Sequence, residues 1–130
     1  MHKSNNISKM SNYLLILLVI GLVVAGQLLL KSGMTQIGSV SLSREQILPF
    51  IVKAVSSPFI ISGLVLYFLS TFLWLIVISK AELSSVQPVT ALSYVFITFF
   101  SWLLFKENVN LIRILGVVAI TFGVFLVARS

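Results

Sequence analysis

Residues 59–105, FIISGLVLYFLSTFLWLIVISKAELSSVQPVTALSYVFITFFSWLLF, contain two long apolar runs that are separated only by the short polar segment 80–82. As an α-helix, each run is long enough to cross a hydrocarbon core about 30 Å thick. A connection this short forces the two helices to run antiparallel as neighbours. The stretch therefore predicts a hairpin of two membrane-spanning helices.

Two further apolar runs flank this hairpin. The first covers residues 13–30 without a charged residue, and the last follows the polar segment 106–110. Helices are the structure that such runs adopt, because a spanning segment in lipid must satisfy its backbone hydrogen bonds internally. We predict an all-α membrane protein with one domain over residues 1–130. Its four transmembrane helices are predicted at about 13–31, 58–79, 83–105 and 111–128.

The composition supports this class and argues against a nucleic-acid-binding protein. Of the 130 residues, 58% are hydrophobic and 9% are charged, whereas average soluble domains carry about 25% charged residues. The net charge of +6 would suit nucleic acid in a soluble protein. Here the basic residues lie at the ends of apolar runs, where they contact anionic lipid headgroups. We expect membrane lipids, and no nucleic acid, as partners.

The reactive side chains give no indication of an enzyme. The sequence has no cysteine and a single histidine, His2, which excludes zinc and iron sites built from these residue types. The three carboxylates, Glu45, Glu82 and Glu107, form no pair at a common depth, and no nucleophile lies beside a base. We therefore expect no catalytic residue, no metal and no cofactor.

The connection between the first two spans is longer than a hairpin needs. Within it, residues 44–56 carry apolar side chains at helical spacing, and Ser43 with Gln46 resembles a capping box. This pattern predicts a short helix lying in the membrane interface. An irregular loop is the alternative, because Pro49 would fall inside the second turn of that helix.

The basic residues give no orientation across the membrane. Four spans place both termini on one face, which then carries four basic residues against five on the other. The two sets are Lys3, Lys9, Lys80 and Arg129, and Lys31, Arg44, Lys53, Lys106 and Arg113. This balance carries no positive-inside bias, so either a partner fixes the orientation or the chain inserts both ways round.

Two polar residues, Gln27 and Lys31, lie at the end of the first apolar run, and their spacing of four places them on one helix face. An unpartnered amide in hydrocarbon costs several kcal/mol, so Gln27 must face another helix or a cavity. Lys31 either snorkels to the headgroups or turns inward, where a phosphate is its natural partner. Hydroxyl groups within the spans are expected to bond to the carbonyl one turn earlier.

Small residues and a proline predict how the spans pack. Gly21 and Ala25 in the first span, like Ala119 and Gly123 in the fourth, are four residues apart and allow helix backbones to approach closely. For the fourth span we expect packing within or between subunits. Pro88 predicts a break near the start of the third span, where freed backbone carbonyls are tolerated beside a cavity.

These features together resemble the small four-span members of the drug/metabolite transporter superfamily. The shared block is residues 57–127, and in the first span VAGQLLLK, residues 24–31, is similar to the corresponding segment of aminoarabinose–undecaprenyl phosphate flippase subunits. The matching features of the block are Gly63, Ser70 and Trp74 four residues apart, Pro88, LSY at 92–94, Lys106 with Glu107, and the glycines of GVVAITFG at 116–123.

The resemblance implies transport without a proton-binding carboxylate. Small multidrug resistance exporters of this superfamily carry a glutamate in the first span, and Val23 stands at that position here. The flippase-like branch lacks the glutamate and shares the Gln-x-x-x-Lys ending. The implied function is translocation of a polyprenyl-phosphate-linked sugar across the bacterial cytoplasmic membrane by alternating access. The alternatives are export of small metabolites or drugs, and a non-transporting membrane subunit that anchors a glycosyltransferase.

The resemblance also implies where the substrate binds. Lys31 would pair with the phosphate, while Gln27 and Gln87 would bond to the phosphate or the sugar hydroxyls. Trp74 and Tyr94 would line the path of the headgroup. Members of this branch commonly carry a tyrosine at the position of Gln87, which would stack on a sugar ring where Gln87 offers hydrogen bonds.

A sixth candidate and an oligomer complete the prediction. Glu107 would bind the amine of an amino sugar, form a gating ion pair with Lys106, or remain a solvated loop charge. Four short spans barely enclose a headgroup path, so we expect a dimer. It is either an antiparallel homodimer or a heterodimer with a similar small protein, and the fourth span is its predicted seam.

Overall fold

The computed structural model describes residues 2–130, with side chains from Ser11 onward, and it is all-helical within that part of the chain. The helices are α1 His2–Ile37, α2 Arg44–Ser56, α3 Pro58–Lys80, α4 Leu83–Val86, α5 Ser93–Leu104 and α6 Leu111–Arg129, and a 3-10 turn, Pro88–Leu92, joins α4 to α5. The side chains of Lys3 and Lys9, which enter the charge balance, lie outside the described residues.

Four segments are long and apolar enough to cross a membrane, which confirms the predicted fold class. They are Ser11–Ile37, Pro58–Lys80, Leu83–Leu104 and Leu111–Arg129. The first continues past the predicted end at residue 31. Successive spans alternate in direction, so α3 and α6 both end at one membrane face. We name this the terminal face, defined by Lys80 and Arg129, and name the opposite one the α2 face, defined by α2 and the loop between α5 and α6.

The most extensive helix contact joins α1 to α3. A Cβ atom on Gly63 would lie 2.7 Å from the Gly26 carbonyl oxygen, and one on Gly33 would lie 2.5 Å from Cγ1 of Ile60. Both distances are too short for non-bonded atoms, so glycine permits this backbone approach. Because helices in lipid associate through van der Waals packing, the close crossing stabilises the pair and fixes its register.

The third span is broken near the terminal face, as Pro88 predicts. The α-helix ends at Val86, the 3-10 turn follows, and regular helix resumes at Ser93. Proline lacks an N–H group and its ring clashes with the preceding turn, so the α-helix cannot run through it. A small apolar core surrounds the break, and its buried members are Ile16, Ile20, Val24, Val77, Val86, Val89 and Val124.

The last helix, α6, is attached loosely. Asn110 caps its start, with Oδ1 accepting from the backbone N–H of Arg113 at 2.8 Å. Its contacts are chiefly with the 3-10 turn rather than with α5. Val124 is buried, whereas most of its apolar side chains are exposed, Ile112 to 78% and Phe122 to 64%. This surface is left for lipid or another subunit to cover.

The predicted interfacial segment is a helix, which excludes the irregular loop. At 100° per residue, α2 has three sides. Ile47, Phe50 and Ala54 are half-buried against the protein. The second side is apolar and exposed, and consists of Leu48, Ile51, Val52 and Val55. The third side is polar, and consists of Glu45, Gln46 and Lys53.

The predicted capping box of α2 is wrong. Ser43 makes no side-chain cap hydrogen bond. Instead, Oε1 of Gln46 accepts from the backbone N–H and the hydroxyl of Ser41, each at 2.9 Å. The glutamine therefore ties down the preceding loop, because its side chain reaches past the N-cap residue.

Candidate functional site

A cavity of about 390 Å³ lies between α1, α3 and the broken third span. Its lining includes the predicted residues Gln27, Trp74, Gln87 and Tyr94. The other lining residues are Val19, Ile20, Val23, Tyr67, Ser70, Thr71, Thr90, Ala91 and Ser93. None of these lining residues is an acid, a lysine or an arginine, so the cavity is polar and uncharged.

The cavity occupies the half of the membrane nearer the terminal face. Trp74 lies six residues before the end of α3 at Lys80, and Tyr67 lies thirteen residues before it. At a rise of 1.5 Å per residue, these depths are about 9 Å and about 20 Å below that helix end. The cavity therefore reaches from near the terminal face to the middle of the bilayer.

Gln27 faces both another helix and the cavity, as its burial in lipid required. Its Nε2 donates a hydrogen bond to the hydroxyl oxygen of Tyr67 on α3. Both side chains are half-buried, and Gly26 and Gly63 cross immediately beside them. The close glycine crossing thus brings an amide on α1 within reach of a phenol on α3, and the pair marks the deep end of the cavity.

Three hydroxyl groups that line the cavity bond to carbonyls one turn earlier, as predicted. Ser70 and Thr71 both donate to the Tyr67 carbonyl oxygen, at 2.6 and 3.0 Å, and Thr90 donates to the Gln87 carbonyl at 2.6 Å. Their hydrogens are occupied, but each hydroxyl oxygen keeps lone pairs that can accept from a ligand. Donors for a ligand remain on Trp74, Tyr94 and the Gln87 amide.

The aromatic side chains give this cavity amphipathic walls. Trp74 and Tyr67 are half-buried, and Tyr94 is 54% exposed. Each offers an apolar ring face together with a polar edge. Rings combined with uncharged donors and acceptors suit a ligand that carries several hydroxyl groups on a ring.

Lys31 does not line this cavity. It is exposed and lies in a second pocket, of about 750 Å³, between the end of α1, the following loop and α2. Met34 and Thr35 of α1, with Ile47 and Phe50 of α2, form part of the wall. The pocket forms because α1 continues as a helix to Ile37, so that its last turns and α2 provide opposite walls. The assignment of Lys31 as a substrate contact stays a prediction.

Glu107 is also separate from the cavity. It lies in the loop between α5 and α6 at the α2 face, where it is half-buried. The preceding residue, Lys106, has φ 54°, in the left-handed region, and the Glu107 backbone N–H donates to the Ser101 carbonyl at 3.3 Å. The chain therefore reverses at Lys106. The proposed contact of Glu107 with an amine stays a prediction.

Nine of the thirteen residues that line the cavity were not among the predicted binding residues, and two of them lie at its deep end. Tyr67 is the partner of Gln27, and Ser70 is 3% exposed beside it. The sequence offered one indication, because a buried amide needs a partner and Tyr67 carries a hydroxyl near the middle of its span. Choosing Tyr67 required the register of α1 against α3, which the glycine contacts set.

Comparisons with known proteins agree with this architecture. The profile of the EamA-like transporter family matches residues 13–129. A protein of Photorhabdus laumondii named "Probable 4-amino-4-deoxy-L-arabinose-phosphoundecaprenol flippase subunit ArnF" is 32% identical over 127 residues, covering 92% of this chain and 98% of its own. A protein of the same name from Proteus mirabilis is 30% identical over 120 residues, covering 84% and 85%. No solved structure matches the chain.

Proposed function

Because this multi-pass membrane protein belongs to the EamA-like transporter family, we propose that it translocates a polyprenyl-phosphate-linked amino sugar across the bacterial cytoplasmic membrane. The observation that carries the proposal is the uncharged polar cavity that reaches from near the terminal face to the middle of the bilayer. The names of the two relatives supply the class of substrate, since both are described as flippase subunits for an aminoarabinose linked to phosphoundecaprenol.

The chemistry of the cavity supports a sugar headgroup. Hydroxyl oxygens of Ser70, Thr71 and Thr90 can accept from sugar hydroxyls or an ammonium group, while Gln87 can donate to ring and hydroxyl oxygens. Trp74, Tyr67 and Tyr94 provide ring faces against which the apolar side of a sugar can pack. These contacts would replace the water that the headgroup loses in the bilayer.

The mechanism would be alternating access. The polar headgroup would cross between α1, α3 and the broken third span while the lipid tail stays in the bilayer. The hydrogen bond between Gln27 and Tyr67 lies at the deep end of the cavity, so it would have to open for the headgroup to pass. Glu107, in the loop at the α2 face, is our candidate for an ammonium contact there.

A proton-coupled drug exporter is disfavoured by one observation. Val23, at the position of the glutamate in small multidrug resistance exporters, lines the cavity. A valine neither binds a proton nor pairs with a cation. Resistance to cationic compounds, without transport of a lipid-linked sugar, would favour the exporter. A glycosyltransferase that copurifies with a protein inactive in transport would favour an accessory subunit.

We further propose that the functional unit is a dimer, either an antiparallel homodimer or a heterodimer with a similar small protein. The exposed surface of α6 supports it, since a Cβ atom at Gly116 or Gly123 would meet nothing within 4 Å. Small residues left open on a spanning helix permit close approach of another helix.

The proposal is tested by transport in proteoliposomes loaded on one face with aminoarabinose-linked undecaprenyl phosphate. We expect Gln27→Leu to lower the rate about tenfold or more, because it removes a polar group of the cavity. The matched control is Gln36→Leu, an exposed glutamine near the end of the same helix, which should keep the rate within about twofold. Absence of lipid transport by the folded wild-type protein, alone and with a similar small protein, would refute the function.

A further inference from the structure

Residues four apart along α1 line first the cavity and then the pocket beneath α2. Val19, Val23 and Gln27 line the cavity, and Lys31 and Thr35 line the pocket. Each member is rotated by about 40° from the one before it, so Gln27 and Lys31 are neighbours on one helix face. The two spaces are therefore consecutive along α1, with Gln27 last in the cavity and Lys31 first in the pocket.

The charges along this face are unequal. The cavity lining contains no lysine, arginine or acid, whereas Lys31 places an exposed ammonium group one turn beyond Gln27, about 6 Å along the helix axis. The α2 face as a whole carries five basic and two acidic side chains. They are Lys31, Arg44, Lys53, Lys106 and Arg113, with Glu45 and Glu107. A phosphate would find its counter-charge on this face and not inside the cavity.

The pocket also has apolar walls that suit a lipid chain. Met34, Ile47 and Phe50 make its wall apolar. On the adjoining side of α2, Leu48 and Val52 are 70% and 65% exposed. An amphipathic helix lies in the interface with such a side in the acyl region. The hydrocarbon tail of a lipid whose phosphate binds Lys31 can therefore stay in contact with apolar side chains of α2 as it continues into the bilayer.

We propose that the pocket between α1 and α2 docks the phosphate of the lipid-linked substrate through Lys31, separately from the cavity that binds the sugar. The inference rests on the proposed function. It assigns different groups of the substrate to the two spaces: phosphate to Lys31, and sugar to the cavity one turn deeper. The distance between Lys31 and Gln27 is comparable to one sugar ring, which lets both contacts be made in succession along α1.

The position of Lys31 favours the substrate over bulk phospholipid as the occupant. Lys53, which is exposed on the polar side of α2, serves general attraction to headgroups. Lys31 instead lines the pocket one helical turn from Gln27, which lines the cavity. A lipid held there is already aligned with the sugar site, whereas a structural phospholipid requires no such alignment.

The test uses undecaprenyl phosphate without a sugar, titrated into the purified full-length protein in detergent and measured by native mass spectrometry. We expect Lys31→Ala to weaken binding about tenfold or more, because a charge-assisted contact is lost. Lys31→Arg should retain binding. Lys53→Ala removes the same charge from the same membrane face, and should change binding by less than about twofold. Circular dichroism of each variant verifies that helix content is preserved.

Two outcomes would overturn the inference. One is equal loss of binding in Lys31→Ala and Lys53→Ala, which would mean that only the general charge of the face matters. The other is complete displacement by an equal concentration of phosphatidylglycerol, which would mean that the pocket holds any anionic lipid. Because the probe carries no sugar and nothing is transported, a failed transport assay leaves this measurement unaffected. The two proposals can therefore fail separately.

Discussion

At the scale of single residues, the pair formed by Gln27 and Tyr67 shows how a polar group is accommodated inside lipid. The amide donates to a phenol on another helix, so neither polar group is left unpaired in hydrocarbon. Hydrogen bonds between membrane helices are modest in energy, about 0.6–1.7 kcal/mol in direct measurements. A contact of this strength can hold a closed state and still open during a transport cycle.

This leads to a prediction for Tyr67→Phe. The change keeps the ring and removes the hydroxyl that accepts from Gln27, so the free energy of unfolding should fall by about 1 kcal/mol. The transport rate should also fall, because the cavity loses a polar group at its deep end. Expressed as an activation free energy, this loss should exceed the loss in the free energy of unfolding. Tyr13→Phe, in an exposed part of α1, is the matched control. Detergent titration followed by circular dichroism gives the stability, and equal stability of both variants would contradict the prediction.

A second prediction concerns the glycine crossing of α1 and α3. Gly63→Ala would place a Cβ atom 2.7 Å from the Gly26 carbonyl oxygen, so the helices must separate. Overpacking of this kind costs about 1–3 kcal/mol. Gly21→Ala in α1 meets nothing within 4 Å and should be neutral or gain up to about 1 kcal/mol from helix propensity. Thermal unfolding in detergent compares the two, and a Gly63→Ala protein as stable as wild type would refute the crossing.

At the scale of secondary-structure elements, α2 is a short helix that has three different environments. Its half-buried side packs on the protein, its exposed apolar side suits lipid, and its polar side suits water. A helix of 13 residues is marginal in isolation. Its stability therefore depends on lying where all three environments meet, which is the membrane interface.

The absence of cysteine from the sequence makes this placement measurable. In single-cysteine variants, we expect Lys53→Cys to react rapidly with a water-soluble maleimide in proteoliposomes and Val55→Cys to react slowly. The reason is that residue 53 lies on the polar side of α2 and residue 55 on its exposed apolar side, which faces lipid. Denatured samples give the control, since both thiols should then react alike. Equal rates in the folded protein would place α2 in water rather than in the interface.

At the scale of the whole molecule, the spans differ in how extensively they pack against one another. The crossing of α1 and α3 is close, whereas α6 contacts mainly the 3-10 turn. Apolar surface on α6 is compatible with lipid, so exposure alone does not require a partner. The open small residues on the same helix are what favour a second subunit.

The corresponding prediction is a cross-link through α6. Ala119→Cys lies near the middle of α6, where a helix meets its symmetry mate at the same depth in either a parallel or an antiparallel homodimer. We expect oxidation in native membranes to give a disulfide-linked dimer on a non-reducing gel. Leu69→Cys, on an exposed side of α3, should remain monomeric. Monomers from both variants would argue against a homodimer with this seam.

The sequence predicted elements better than contacts. Long apolar runs predicted four spans, and helical spacing predicted α2, because burial in lipid imposes composition directly on the chain. The spacing of small residues drew attention to Gly21, which has nothing within 4 Å, while Gly26 and Gly63 make the close crossing. The spacing of small residues indicates that another helix can pack closely against a span. Which helix does so depends on how all four spans pack together.

The same distinction holds for the candidate site. Gln27, Trp74, Gln87 and Tyr94 were predicted as binding residues and line one cavity. Tyr67 was not predicted, because its contact with Gln27 follows from the helix register. Lys31 lies in a different pocket since α1 extends to Ile37 and the next helix folds against it. Neither consequence can be derived from a single segment of sequence.

The hydrogen bond between Gln27 and Tyr67 also has a consequence for biosynthesis. Its two residues are 40 positions apart, and α1 leaves the ribosome first. At about 5–20 residues per second, translation from one to the other takes roughly 2–8 s. During that interval the amide has no partner within its own chain, so entry of α1 into the lipid would leave it unpaired. We expect α1 to wait beside the insertion machinery until α3 arrives, and both helices to enter the bilayer together.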